Sequence, residues 1–236
     1  MQPALRDRRL ASIFQRAECV FFDCDGVIYD SNPFKLRALE HALAGQGPTE
    51  LSQMSDYWRR NGGMSRFAKL RHFFTEIAPH PDVEGQVAAA ALRFGAYSRA
   101  AYDECAPLAA ALRAAQAAGF ERCHVVSGAA QTELESVFVA HGIAQYFASI
   151  LGSPRAKQDL VSGVLAERRC PPQRALLIGD GAMDFRVCQA LGLHFVYLAE
   201  FTEWLGATEI LAAAEPVSVA STWRELLVGL GVDPAE

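Results

Sequence analysis

The chain has 236 residues, of which 51% are hydrophobic and 21% charged. These values exclude a disordered chain, a collagen-like repeat and a strongly charged tail protein. The net charge of −5 speaks against a nucleic-acid partner, because phosphate-backbone binders carry a basic face, but it leaves room for a small anionic ligand. At this length one large domain, or a core with a smaller module, can bury a sizeable interior.

The chain opens with MQPALRDRRLASIFQR, where charges interrupt the apolar residues and no apolar signal core follows. With no run of 18 uncharged apolar residues, no membrane span is expected, and a cytoplasmic protein is the default reading. The first strand is expected at Cys19–Phe22, a short apolar run that stops at Asp23. A helical series follows, at Phe34–Leu43, Thr49–Arg60, Ser65–Ile77 and Val83–Tyr102. The proline loop Ala78-Pro79-His80-Pro81 interrupts that series, since proline removes a donor and restrains its predecessor. No strand signal occurs between residues 33 and 104.

After Pro107 the pattern changes to alternation. A helix at Leu108–Ala118 stops at Gly119. Strand Cys123–Val126 ends in Ser127-Gly128, and helix Gln131–His141 and strand Ser149–Leu151 come next. Ser153-Pro154 reads as a helix start, with Ser153 as N-cap and the proline in the first turn of a helix reaching Arg168. Strand Ala175–Ile178 ends in Gly179-Asp180, and helix Met183–Leu191 and strand His194–Leu198 follow. The tail adds a strand near Val217–Val219 and a helix at Thr222–Leu230. Such alternation predicts an α/β fold, a Rossmann-like parallel sheet of right-handed βαβ units. The helical block interrupts it as an inserted all-α domain. The expected division is a core of residues 1–32 and 105–236 and an inserted domain of residues 33–104.

In open parallel sheets ligands sit beyond the carboxyl ends of the strands, so the strand ends carry the functional signal. The first ends in Asp23-Cys24-Asp25-Gly26-Val27, placing two carboxylates at i and i+2 in a turn. Ser127-Gly128 offers a hydroxyl and backbone amides suited to an anion. Lys157 lies in the first turn of its helix, where a cation is unfavourable unless an anion is near. Asp180 and Asp184 stand at another strand-to-helix junction, hard oxygen ligands that suit Mg²⁺. Each signal has a mundane counterpart: a turn aspartate, a Ser-Gly turn, a solvated lysine, a helix cap. Their ordered recurrence at strand ends favours one shared site.

With those residues in place, the sequence resembles the haloacid dehalogenase superfamily, in the branch with a helical cap inserted after the first strand that includes phosphoglycolate phosphatases and β-phosphoglucomutases. Asp23-Cys24-Asp25-Gly26-Val27, continuing to Asp30-Ser31, resembles the first family motif. Val126-Ser127-Gly128 resembles the second, Lys157 the third, and Gly179-Asp180 with Asp184 the fourth. The resemblance implies that Asp23 is a nucleophile forming an aspartyl-phosphate and Asp25 a general acid/base. It implies that Ser127, Gly128 and Lys157 hold phosphate, and that Mg²⁺ is bound by Asp23, the backbone carbonyl of Asp25, and Asp180, with Asp184 in support. The aspartate at position 25 favours an oxygen ester over a carbon–halogen bond, because a departing alcohol needs a proton. Gly63-Met64-Ser65-Arg66 resembles the cap loop that touches substrate in phosphosugar enzymes, and it makes Arg66 a specificity candidate. The alternative for Arg66 is a solvated first-turn residue behind the cap Ser65.

The implied activity is Mg²⁺-dependent hydrolysis of a small phosphorylated metabolite, a sugar phosphate or phosphoglycolate-like compound. A phosphosugar mutase would share the same residues, and a non-catalytic phospholigand-binding protein is the alternative of another class. Neither a nucleic-acid nor a membrane partner is expected, and oligomeric state is left open. The scattered Cys19, Cys24, Cys105, Cys123, Cys170 and Cys188 form no CxxC pair and read as free thiols. Cys24 is expected to point away from its two aspartate neighbours. The six histidines share no ligand spacing. Trp58, Phe67, Phe73 and Phe74 read as packing within the helical block.

Overall fold

The computed structural model describes residues 3–234. It contains a six-stranded sheet, all parallel, in the order β3-β2-β1-β4-β5-β6. The strands are β1 (Cys19–Phe22), β2 (Cys123–Ala130), β3 (Ser149–Ser153), β4 (Ala175–Gly179), β5 (His194–Leu198) and β6 (Val217–Ala220). The crossovers carry α6 (Ala109–Ala118), α7 (Gln131–Ala140), α8 (Lys157–Arg168), α9 (Ala182–Leu191) and α10 (Ala207–Ala212), and the sheet helices are completed by α1 (Pro3–Arg16) and α11 (Trp223–Leu230). Helices α1 and α10 have no counterpart in the sequence-based expectation.

The period of two along a strand sorts the side chains onto two faces. Val20 and Phe22 of β1, Leu176 and Ile178 of β4, and Val196 and Leu198 of β5 join one core, with residues of α6, α7 and α11. Cys19 and Phe21, Ala175 and Leu177, and Phe195 and Tyr197 join the other, with residues of α8, α9 and α10. Both faces are therefore covered, which is why these strands read as unbroken apolar runs.

Helices α2 (Asn32–Ala42), α3 (Pro48–Arg60), α4 (Arg66–His72) and α5 (Val83–Tyr102) follow β1, and a π-helical turn, Phe73–Ile77, extends α4. They enclose a third apolar cluster built from residues 38–94 alone, with Met54, Leu70, Phe73 and Phe94 at its centre. The block leaves and rejoins the core near one place. Leu108 N–H donates to the carbonyl of Ile28 at 2.8 Å, and Trp223 Nε1 donates to Val27 O at 2.9 Å, fixing the turn that follows β1.

Two local expectations need correction. Strand β2 does not stop at Val126: it runs through Ser127-Gly128 to Ala130, with an irregular register after Val126. Ser153 is not a helix N-cap, because it ends β3 and its hydroxyl donates to Ala129 O at 3.1 Å, so α8 begins at Lys157 behind Ala156. All six cysteines are free. None of the described helices is long and apolar enough to cross a membrane.

Candidate active site

The turn after β1 is compact because its amides converge on few acceptors. Val27, Ile28 and Tyr29 N–H all donate to the carbonyl of Cys24, and Gly26 N–H donates to Tyr29 O at 2.7 Å. Gly26 has φ +77°, and a Cβ there would overlap Asp180 Oδ2, so only glycine brings the first and fourth strand ends this close. Cys24 is fully buried in the apolar core, as alternation predicts, and burial pushes its thiol well above the ordinary range.

Asp23, Asp180 and Asp184 are buried together, and each offers a carboxylate oxygen within 4.8 Å of the others'. Lys157 is the cation among them. Its Nζ lies 2.6 Å from Asp184 Oδ1 and 2.9 Å from Asp23 Oδ1. The second oxygen of Asp184 accepts from Gly181 N–H at 3.1 Å, so this residue both caps α9 and anchors the lysine. Asp180 is oriented by Asn32, whose Nδ2 donates to it at 2.9 Å, and its carbonyl accepts from Thr202 Oγ1 at 2.6 Å.

One ammonium against three carboxylates leaves an excess of negative charge. Burial raises the Asp23 carboxyl to about 8, with the neighbouring Asp184 charge adding to the shift and Lys157 opposing it. Burial, then Asp23 and Asp184, push Asp180 upward as well. Lys157 is shifted upward too, for the opposite reason: burial lowers it, but Asp184 and Asp23 outweigh that and hold it firmly protonated. Hard oxygens with uncompensated charge fit a divalent cation of the oxygen-binding kind.

Asp25 lies in a different environment. Its Oδ1 accepts from Ser31 Oγ and from Tyr102 Oη, each at 2.5 Å, and lies 3.4 Å from Lys35 Nζ. Burial raises its pKa, yet Lys35, Ser31 and Tyr102 together more than offset this, and the carboxyl sits below its ordinary range. Its carboxylate thus stands apart from the Asp23–Asp180–Asp184 group.

Ser127 is buried and its Oγ accepts from Ala129 N–H at 3.1 Å. Ser127 and Gly128 line a cavity of about 60 Å³ beside Asp23, Asp25 and Asp180. The opposite wall comes from the helical block, through Trp58, Gly62, Gly63, Met64, Arg66 and Lys69. Glycines line both sides of this seam. A Cβ on Gly128 would lie 2.7 Å from Gly63 O and 2.8 Å from Met64 O, and Met183 N–H donates to Gly62 O at 3.1 Å.

Arg66 reaches the cavity, but it is not the solvated residue that a first-turn position suggests. It is 4% exposed, and its Nη2 donates to Glu133 Oε1 at 2.6 Å while the guanidinium lies over the Phe94 ring. Ser65 stands at the N-cap position without a side-chain cap bond. Lys35 donates to the same Glu133 oxygen at 3.2 Å. Burial raises the Glu133 carboxyl, but Lys35 and Arg66 outweigh it and draw it below its ordinary range.

Sequence reasoning missed Lys35, Glu133, Tyr102, Asn32 and Lys69. Lys35, Tyr102 and Lys69 lie in helices of the inserted block, where only a charged residue on the apolar face would have marked Lys35 and Lys69. Trp58, read as packing, also walls the cavity and stacks on Phe94 at 5.2 Å. Phe73 and Phe74 are core residues as expected, and Phe67 packs at the edge of that cluster. Among the described residues, no histidine lines the cavity or joins the carboxylate cluster. Two histidines, His124 and His194, are buried against Ser149 and Ser218, and burial lowers each to about 4.

The fold recurs in solved structures. A hydrolase from Pseudomonas syringae superposes with a TM-score of 0.72 at 17% identity, covering 89% of this chain and 96% of that one. A predicted phosphoglycolate phosphatase from Haemophilus somnus gives 0.66 at 17% identity, over 90% and 97%. CbbY from Rhodobacter sphaeroides, solved in complex with phosphate, gives 0.64 at 20% identity, over 92% and 100%. No curated protein matches the chain by sequence. The haloacid dehalogenase-like hydrolase family model matches residues 17–192, well over half of the length and all four strand-end motifs, and the chain belongs to that family.

Proposed function

We propose that the protein is a phosphatase that hydrolyses a small phosphorylated metabolite through a phosphoryl-Asp23 intermediate. The observation that carries this reading is the separation of two aspartates, two residues apart, into two environments. Asp23 faces Lys157 and two further carboxylates, whereas Asp25 is held by Ser31, Tyr102 and Lys35. The first environment gathers the attacking group with Lys157 and the cation site that would keep it ionised, and the second leaves Asp25 outside that cluster on the cavity wall, where it can exchange protons with a leaving group and with water.

In this mechanism an Asp23 carboxylate oxygen attacks phosphorus and the ester oxygen departs. Asp25 gives that oxygen its proton, then takes a proton from the water that attacks the phosphoryl group in the second step. Splitting one displacement into two is the gain of covalent catalysis. Lys157 and the Ser127-Gly128 segment of β2 receive the phosphoryl oxygens and hold them in line with Asp23. Bound Mg²⁺, held by Asp23, the Asp25 carbonyl and Asp180 with Asp184 in support, would neutralise phosphate charge. Residues 33–104 act as a cap, placing Trp58, Arg66 and Lys69 over the phosphoryl site and excluding water. The structural neighbours described as a phosphoglycolate phosphatase and as a phosphate complex fit this substrate class.

Phosphate release from a panel of sugar phosphates, phosphoglycolate and nucleotides, in Mg²⁺, tests the reading. Wild-type release that disappears in Asp23→Asn and with chelator supports it. Isomerisation of a sugar phosphate without net release would favour a mutase. Ligand binding without any turnover would mark a non-catalytic protein.

A further inference from the structure

Five cationic side chains surround the site, and four are accounted for. Lys157 pairs with Asp23 and Asp184, Lys35 with Asp25 and Glu133, and Arg66 with Glu133. Arg59 is partly open to water. Lys69 is different. It is 3% exposed, lines the cavity, and makes no ion pair among the described residues. Its Nζ has one long hydrogen bond, to Trp58 O at 3.4 Å, and lies 3.9 Å from the centroid of the Trp58 ring.

An ammonium has three donors, and burying one without a counter-ion is costly. A cation–π contact offsets part of that cost but leaves the hydrogen-bonding capacity unused. Burial lowers Lys69 to about 7 even though Asp25, Asp23, Glu203 and Asp180 all face it and favour its charge. The residue therefore has room for a further anion. The phosphoryl oxygens have Lys157 and Ser127 on the sheet side, whereas Lys69 looks down from α4 on the opposite side, where a leaving group would lie. The cavity is small enough to favour a compact group there.

We propose that Lys69 is a specificity-determining residue that binds a carboxylate on the substrate's leaving group, so that the enzyme prefers phosphate esters of short hydroxy acids to those of neutral alcohols. This inference rests on the phosphatase reading for its leaving group, but the contact is testable without turnover.

The test is calorimetric titration of Asp23→Asn protein, in Mg²⁺, with 2-phosphoglycolate and with ethyl phosphate, which lacks the carboxylate. The expected result is a preference for phosphoglycolate of about ten- to a hundredfold, the worth of a charged hydrogen bond. The preference should vanish in Asp23→Asn/Lys69→Met and persist in Asp23→Asn/Lys69→Arg. Lys69→Gln replaces the methionine variant if that one does not fold. Equal or absent binding of the two esters, or a preference that survives loss of the lysine charge, would overturn the proposal. A gain for fructose 1,6-bisphosphate over fructose 6-phosphate, with none for phosphoglycolate, would overturn the carboxylate assignment. Wild-type hydrolysis of p-nitrophenyl phosphate separates the two claims. Hydrolysis without a binding preference sinks the Lys69 proposal alone, and a binding preference with no hydrolysis of any ester sinks the phosphatase reading alone.

Discussion

Arg66 and Glu133 meet at 2.6 Å across the seam between the helical block and the sheet, and both are buried. Arg66 opens α4 and Glu133 sits in the first turn of α7, next to the Ser127-Gly128 segment. The same Glu133 oxygen also receives Lys35, which lies beside Asp25. An unbroken line of charges thus runs from the helical block to the proposed acid/base. It ties the seating of that block to the environment of Asp25.

Removing Glu133 leaves two buried cations without their shared partner. Glu133→Ala is expected to lower stability by about 3–5 kcal/mol, the usual cost of breaking a buried pair. The pH dependence has a definite sign. The folded-state pKa of Glu133 lies below its ordinary value, so its stabilisation is full above the ordinary carboxylate range and is lost as pH falls through the lower folded value. Thermal melts from pH 3 to 7 should show a shallower acid loss in the variant. Identical acid profiles would contradict the pairing.

Lys35 is expected to set the protonation of Asp25. Replacing it with methionine removes the largest charge holding that carboxyl low, while Ser31 and Tyr102 still donate to it. The limb of the kcat/KM profile that reports Asp25 should move to higher pH. Arg is a poor substitute because Lys35 is packed 4.6 Å from the Tyr102 ring centroid. A profile that does not move would show that Lys35 acts only by packing.

Much of this arrangement was legible from residue order alone. Parallel βαβ topology follows from alternation, the Asp23, Ser127 and Asp180 positions follow from apolar runs that give way to polar residues, and Lys157 stands out as a cation in a helix's first turn. The boundaries that failed share a cause. Ser127-Gly128 and Ser153 carry turn and cap chemistry, but the pairing of Ala130 with Ser153 between β2 and β3 and the Ser153–Ala129 hydrogen bond keep both segments extended. The charge network was not legible because Lys35, Arg66, Lys69 and Glu133 lie in helices, where a charged residue ordinarily faces water. The packing of α2 and α4 against α5, and of α5 against α7, turns those faces inward.

The glycine seam predicts a variant that impairs activity more than folding. In Gly128→Ala the new Cβ would press on the backbone of Gly63 and Met64 at 2.7–2.9 Å. Backbone atoms cannot rotate aside, so the turn at Gly62-Gly63 must lift. Because the helical block has its own apolar cluster, the melting temperature should fall only slightly while kcat/KM drops at least about tenfold, as misplacement of positioning groups predicts. Equal loss of stability and activity would place the effect in the core instead.

The crowded carboxylates predict a stability that depends on divalent cation and pH together. The Asp23 pKa is raised to about 8, so protonation favours the folded chain. Without metal, the cost of ionising Asp23 in the folded state grows as pH rises from its ordinary value near 4 toward 8, and stability falls over that window. Asp180 is shifted the same way and adds to the fall. Lys157 stays protonated throughout and leaves the slope unchanged. Excess Mg²⁺ binds the ionised carboxylates, so it should raise the melting temperature little at pH 5 and most at pH 8. Asp180→Asn removes one of the three charges, which should flatten the metal-free slope and weaken the Mg²⁺ effect together. Melting curves across that range, with Mg²⁺ and with chelator, read both slopes, and a Mg²⁺ increment independent of pH would mean that the cation binds elsewhere.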